Sequence, residues 1–190
     1  MLKEWSPASK LGLKVLTLKT SMLVAPEPVK RPSSLSLLSL RSGFCEVGES
    51  SIRFQPTDLE KTEGMGHCAP PLLLTQYTED PRLCPVYYLK AYIRETRPIR
   101  SSDKLFVSLV APHGSVTTST IAAWLKKVIV MSGQAGSGGS TRSASSSQAV
   151  MKGASLQTVL AAGDWARSST FKRFYYKPTE QTFQEIVLNK

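Results

Sequence analysis

Apolar residues recur at helical spacing across residues 13–24 (LKVLTLKTSMLV), which predicts a helix there. Pro26 and Pro28 interrupt the pattern, and Pro32 suits the first turn of a second helix whose buried face is Leu35, Leu37, Leu38 and Leu40. The period then shortens. Residues 43–55 (GFCEVGESSIRFQ) read as a strand, a turn at Gly48 and a second strand holding Ile52 and Phe54. The chain turns again through Lys61, and residues 71–77 supply a third short strand. Helical periodicity returns at Pro85, with Val86, Leu89, Ala91, Tyr92 and Ile93 on one broad face and Lys90, Arg94 and Arg97 reaching outward. A strand-like run, FVSLV at 106–110, leads to a helix capped by Ser119 or Thr120 and carrying Ile121, Ala122, Trp124, Leu125, Val128 and Ile129. Ser155 caps a further helix with Leu156, Val159 and Leu160, which Gly163-Asp164 ends or bends. The last helix starts at Ser168 or Ser169 and runs toward Tyr176, where Pro178 stops it; Phe183, Ile186, Val187 and Leu188 form an apolar tail.

This order predicts an α+β fold, mainly helical with a small antiparallel sheet. Residues 1–12 read as a loose lead-in and 13–190 as one domain, a size that suits a chain of 190 residues. Residues 132–149 (SGQAGSGGSTRSASSSQA) have the composition of a flexible linker. No βαβ repeat occurs, and the glycines at 136, 138 and 139 lack the Gly-Lys-Ser/Thr ending that a phosphate-cradling nucleotide loop requires.

Composition narrows the classes further. With 41% hydrophobic and 20% charged residues, the chain is neither a disordered polyelectrolyte nor a membrane protein. Its longest apolar patch, residues 16–25, is broken by Thr17, Lys19, Thr20 and Ser21, so no transmembrane span is expected. The first residues carry Glu4 and no apolar h-region, unlike a secretory signal. Three cysteines (Cys45, Cys68, Cys84) cannot all pair, and with His67 and His113 they show no metal-ligand spacing, so a reducing compartment and no metal are expected. The formal charge of +10 is spread along the chain, with clusters at Arg94-Arg97-Arg100-Lys104, Lys126-Lys127 and Arg167-Lys172-Arg173-Lys177. Such a field favours a polyanionic partner.

Residues 162–178 (AGDWARSSTFKRFYYKP) resemble the end of the catalytic domain of tyrosine recombinases, or phage-type integrases. The likeness is greatest to eukaryotic transposon-borne members, in which Trp and a Ser/Thr-rich stretch precede a Phe-Tyr pair. The resemblance implies that Tyr175 is the attacking tyrosine, with Tyr176 its rival, and that Trp165 stands at the family's second-box His or Trp. Upstream, residues 139–145 (GSTRSAS) are similar to the His-x-x-Arg box, with Arg142 at the arginine. Residues 30–35 (KRPSSL) look like the first-box arginine region, with Arg31 at the arginine and Ser34 where an acidic residue is usual. Lys61 fits the lysine on the small-sheet turn, and residues 79–85 match a recurrent segment ahead of the next helix. The likeness runs in colinear order over roughly residues 13–180.

The residue types suit the chemistry that this resemblance implies. A phosphodiester under attack accumulates charge on its nonbridging oxygens, which two planar guanidinium groups, Arg31 and Arg142, can clamp bidentately. The phenol of Tyr175 can form a covalent phosphoester and release a deoxyribose hydroxyl. Lys61 would protonate the leaving 5′-oxygen, and Trp165 would help place the phosphate by packing and by its indole N–H. Seen singly, each of these residues also has an ordinary reading: solvent-facing Arg31, Arg142 and Lys61, packing Tyr175, core Trp165. His113, in the turn 111–114, stands outside the catalytic set.

Two further features depart from the pattern. Gly139 occupies the box-histidine position, and glycine has no side chain with which to exchange a proton or bond a phosphate. Only thirty residues precede Arg31, so the likeness takes in a catalytic domain without the family's separate N-terminal DNA-binding domain, as in a fragment or relic of a mobile-element protein. The leading expectation is binding of double-stranded DNA, with strand cleavage and rejoining through a 3′-phosphotyrosyl bond as in DNA recombination or integration. It implies no cofactor and no metal, no membrane, a homo-oligomer assembled on DNA, and a place in the nucleus or another intracellular compartment. The alternatives are a catalytically inactive DNA-binding remnant and an interaction domain without a DNA role.

Overall fold

A computed structural model describes residues 1–25, 31–55, 71–163, 165 and 167–176. Among the described residues, seven α-helices, α1 (Leu13–Val24), α2 (Pro32–Leu37), α3 (Pro85–Thr96), α4 (Thr118–Met131), α5 (Ser140–Met151), α6 (Leu156–Ala162) and α7 (Ser168–Phe174), accompany three strands, β1 (Cys45–Val47), β2 (Ser51–Phe54) and β3 (Leu72–Thr75). The strands form one antiparallel sheet in the order β1-β2-β3, with Val47 opposite Ile52 and Ile52 opposite Leu74. The predicted architecture, mainly helical with a small antiparallel sheet, is the one observed.

Helix α1 packs against α3 and α4, α2 against α4, and α3 against β3. Because α1 is covered on several sides, its polar residues are buried with its apolar ones; Thr20 Oγ1 donates across to the Tyr88 carbonyl, while the hydroxyls of Thr17 and Ser21 turn back on the helix. Thr17 Oγ1 donates to the Leu13 carbonyl (2.7 Å) and Ser21 Oγ to the Leu18 carbonyl (2.9 Å), which satisfies both buried hydroxyl donors. Alternation on β2 and β3 sends Ile52, Phe54, Leu72 and Leu74 inward into the core that also holds Leu89 and Tyr92 of α3.

The lead-in is tied to this core. Lys19, fully buried on α1, donates to the carbonyls of Leu2 (2.7 Å) and Trp5 (2.5 Å) and lies 3.7 Å from the ring centroid of Tyr88. Burial pulls its ammonium pKa down to about 8.

Several expectations need correction. Residues 140–149, which read as linker, belong to α5. The sequence hid this helix because its buried face is Thr141, Arg142, Ser143, Ser146 and Ser147 rather than a hydrophobic stripe. The hydroxyls of Thr141, Ser143 and Ser146 bond locally, Ser146 Oγ donating to the Arg142 carbonyl at 2.8 Å, while Ser147 Oγ reaches the Tyr175 carbonyl. The run 106–110 is not a regular strand, only an isolated bridge between Val107 and Ser115. Helix α2 ends at Leu37, with Leu38 and Leu40 in the segment that pairs with residues 103–105. The cap of α4 is Thr117, whose Oγ1 accepts from the Thr120 amide at 3.3 Å, and α7 follows Arg167 without a side-chain cap. In the first basic cluster, Arg100 is structural: it donates to Thr96 Oγ1 (2.5 Å) and to the Lys104 (2.9 Å) and Leu105 (3.3 Å) carbonyls. Lys104 likewise reaches the Leu37 carbonyl at 3.3 Å.

Candidate functional site

Four helices border one cleft of about 830 Å³. Arg31, Pro32 and Ser33 line it from the start of α2, and Thr117, Thr118, Ser119 and Ala122 from the start of α4. Gly139 and Arg142 line it from the start of α5, and Tyr175 from the end of α7. Arg31 and Arg142, more than a hundred residues apart in the chain, thus reach the same cleft. No acidic residue is among the described residues lining it, and the positive ends of the α4 and α5 dipoles face this region. Exposed Lys126 and Lys127 on α4 and Lys172 and Arg173 on α7 extend the basic character on the bordering helices.

Local sequence explains this placement. Arg31 is the extended N-cap of α2, Pro32 fixes the first helical residue, and packing of α2 on α4 carries Arg31 to the α4 N-terminus. Gly138 lets the start of α5 approach α4: a Cβ there would lie 2.6 Å from the Ala122 carbonyl oxygen and 2.8 Å from its Cα. The glycine-rich stretch that looked like loose linker is therefore what allows the two helix ends to meet.

Arg142 is only 4% exposed. Its guanidinium carbon lies 4.1 Å from the Trp165 ring centroid and 5.1 Å from that of Tyr175, and its Nη2 donates to the Gly163 carbonyl. Stacking on the two rings offsets part of the cost of burying the cation, each desolvated contact being worth roughly 2 kcal/mol. Trp165 packs against Phe171 at 5.0 Å and Tyr175 at 4.9 Å between ring centroids. Its Nε1 is buried and has no hydrogen-bond partner among the described residues. Trp165 is not among the residues lining the cleft; its place is as the platform under Arg142 and Tyr175.

Tyr175 is half-buried at the C-cap of α7. Its amide donates to the Phe171 carbonyl (2.9 Å) and its carbonyl accepts from Ser147 Oγ on α5 (3.2 Å). Tyr176 packs on Phe171 at 5.8 Å and does not line the cleft, which separates the two tyrosines. Gly139 stands exposed at the cleft edge, where an added Cβ meets nothing closer than Ser137 Oγ at 3.7 Å. Lys61 lies outside the described residues. His113 braces a turn, its Nδ1 2.8 Å from the Ser108 carbonyl oxygen.

Sequence reasoning missed the hydroxyl row at the start of α4, where Thr117 Oγ1 lies 2.8 Å from Ser119 Oγ and Thr118 Oγ1 3.1 Å from Ser36 Oγ. It also missed Ser147 and the part played by Gly163. Only the Thr-x-x-Thr capping spacing at 117–120 could have signalled any of these. Among the described residues, no group of three or more His, Cys, Asp or Glu could hold a metal, and no helix is long and apolar enough to cross a membrane.

No family model matches the sequence, and no curated protein matches it. Among solved structures, the chain resembles a crystal structure of XerA recombinase with a TM-score of 0.63 and 15% identity. The match covers 98% of this chain and 59% of that one, so the chain spans less than two thirds of the recombinase's length. At this identity the likeness is one of fold: a mainly helical, tyrosine-recombinase-like catalytic-domain architecture.

Proposed function

We propose that the chain binds the phosphodiester backbone of double-stranded DNA in the cleft, with Arg31 and Arg142 as the phosphate clamp and Tyr175 as the nucleophile. The observation that carries this reading is the convergence of two arginines and one tyrosine, from three helices, on a cleft without acidic lining among the described residues. The colinear motif likeness and the shared fold support it.

In the reaction this arrangement suits, the Tyr175 phenol gives up its proton as its oxygen attacks phosphorus, a phosphotyrosyl bond forms on the 3′ phosphate as the bond from phosphorus to the 5′-oxygen breaks, and the 5′-oxygen leaves and takes up a proton. Reversal of the same steps rejoins the strand, so phosphoester bonds are conserved and no external energy source is required. The arginines act on the nonbridging oxygens, where negative charge grows. The departing oxygen's proton would come from Lys61 by the family likeness. The box-histidine position contributes nothing at Gly139, which favours strong binding over fast cleavage and keeps the inactive DNA-binding remnant as the second reading. A DNA substrate also fits the nucleus or another DNA-holding compartment, and assembly of copies on one duplex.

The test is equilibrium titration of a fluorescent duplex at several salt concentrations. Affinity should fall steeply with salt, because each neutralised phosphate contributes about −0.9 to the slope of log K against log salt. The variants Arg31→Ala and Arg142→Gln should each flatten that slope by about one contact. Affinity indifferent to salt, or slopes unchanged in both variants, would remove the phosphate-clamp assignment.

A further inference from the structure

Gly163 closes α6 as its C-cap, and the reason for glycine there is not the backbone. Helix ends recruit glycine chiefly for a left-handed conformation, as at Gly153 after α5, where φ is +89°. At Gly163, φ is −91° and ψ is 0°, values open to any residue. What demands glycine is the indole of Trp165. A Cβ on residue 163 would lie 1.9 Å from Cζ3, 2.1 Å from Cε3 and 2.6 Å from Cη2 of that ring, closer than nonbonded carbons can approach.

Two further contacts join the same residue to the cleft. Its carbonyl accepts from Arg142 Nη2, and the indole resting on it carries both the Arg142 guanidinium (4.1 Å) and the Tyr175 ring (4.9 Å). We infer that Gly163 is a positioning residue for the cleft: by holding the indole against its bare Cα and the guanidinium on its carbonyl, it sets Arg142 and Tyr175 relative to each other. The inference rests on the proposed phosphate-binding role of Arg142 and adds the residue that controls it.

An ordinary van der Waals separation from a new Cβ requires the ring to move by roughly 1.5 Å. Arg142 and Tyr175 both pack on that ring, so neither can keep its place. A misplacement of about 1 Å at a reacting centre can cost on the order of 10²-fold in rate. The effect on binding is smaller, because one of several phosphate contacts is lost.

The experiment uses the full chain and a fluorescein-labelled 30-base-pair mixed-sequence duplex. Gly163→Ala, Arg142→Gln, the double variant and the control Gly12→Ala are titrated across salt; a Cβ on residue 12 meets nothing within 4 Å. Trp165 emission is read after Trp5→Phe and Trp124→Phe leave it as the sole indole. Gly163→Ala should weaken binding about tenfold at low salt, flatten the salt slope by about one contact and shift the Trp165 emission. It should add nothing once Arg142 is glutamine, since it acts through that side chain.

A folded Gly163→Ala chain with the wild-type slope, beside an Arg142→Gln chain whose slope has flattened, overturns the positioning role. If Arg142→Gln itself keeps the wild-type slope, the DNA reading falls instead. The emission then decides for Gly163: a shift keeps its hold on the cluster, and an unchanged spectrum overturns it. If Gly163→Ala alone does not fold, Trp165→Leu removes the colliding ring atoms. The double variant Gly163→Ala/Trp165→Leu should then be as stable as Trp165→Leu, and a chain still unfolded would refute the collision.

Discussion

Replacing Gly139 with histidine puts an imidazole at the one position without a side chain among the described residues lining the cleft, and the structure has room for it. Residue 139 has φ −82° and ψ −13°, within the ordinary helical region, and its nearest contact for a new Cβ is 3.7 Å away. Gly139 makes no side-chain cap bond that the change could remove. Losing glycine reduces the freedom of the unfolded chain, a gain of about 0.4–1 kcal/mol where the backbone is compatible, so the melting temperature should hold or rise slightly. A positioned acid–base group contributes about 10²–10⁴-fold to a proton-coupled step. The lower bound corresponds to about 2.7 kcal/mol of barrier. The assay is a nicked suicide duplex, with covalent protein–DNA adduct read on a denaturing gel. Wild type should yield a trace, Gly139→His at least about a hundredfold faster accumulation, and Gly139→His/Tyr175→Phe none. A folded Gly139→His chain with wild-type duplex affinity and no faster adduct refutes the view that the absent imidazole limits the reaction. An adduct that survives Tyr175→Phe refutes Tyr175 as nucleophile and transfers the role to Tyr176.

Two further outcomes test the scaffold. Gly138→Ala sets a Cβ against the Ala122 backbone, which cannot swing aside, so urea unfolding should show a loss of about 1–3 kcal/mol; wild-type stability would refute the close approach of α5 to α4. Lys19 has its pKa lowered by burial from 10.5 to about 8, so between these values the unfolded chain holds a proton that the folded chain lacks. Wild-type stability should therefore rise relative to Lys19→Met as pH climbs from about 8 toward 10.5, and parallel urea-derived curves for the two proteins would refute the buried lysine.

The sequence by itself determined those elements whose residues announce their own partners. Period-3.6 apolar stripes fixed α1, α3 and α4, alternation fixed β2 and β3, and Ser155 and Gly163 marked the ends of α6 through local capping chemistry. It also singled out Arg31, Arg142, Trp165 and Tyr175 by motif likeness. Helix α5 escaped because hydrophobic pattern is its only long-range signal and its buried face is polar, four hydroxyls and Arg142. Arg100 looked like surface charge because no local pattern shows that its donors close on carbonyls at 104 and 105. The cleft itself belongs to tertiary structure. Gly138 meeting Ala122, α2 leaning on α4, and an indole lying on Gly163 are contacts between segments, set by the space left when helices pack. A list of residue types carries the chemistry available at a site. Which arginine faces the cleft, which tyrosine lines it and which tryptophan only supports them is decided by packing, because close-packed side chains exclude every arrangement but one.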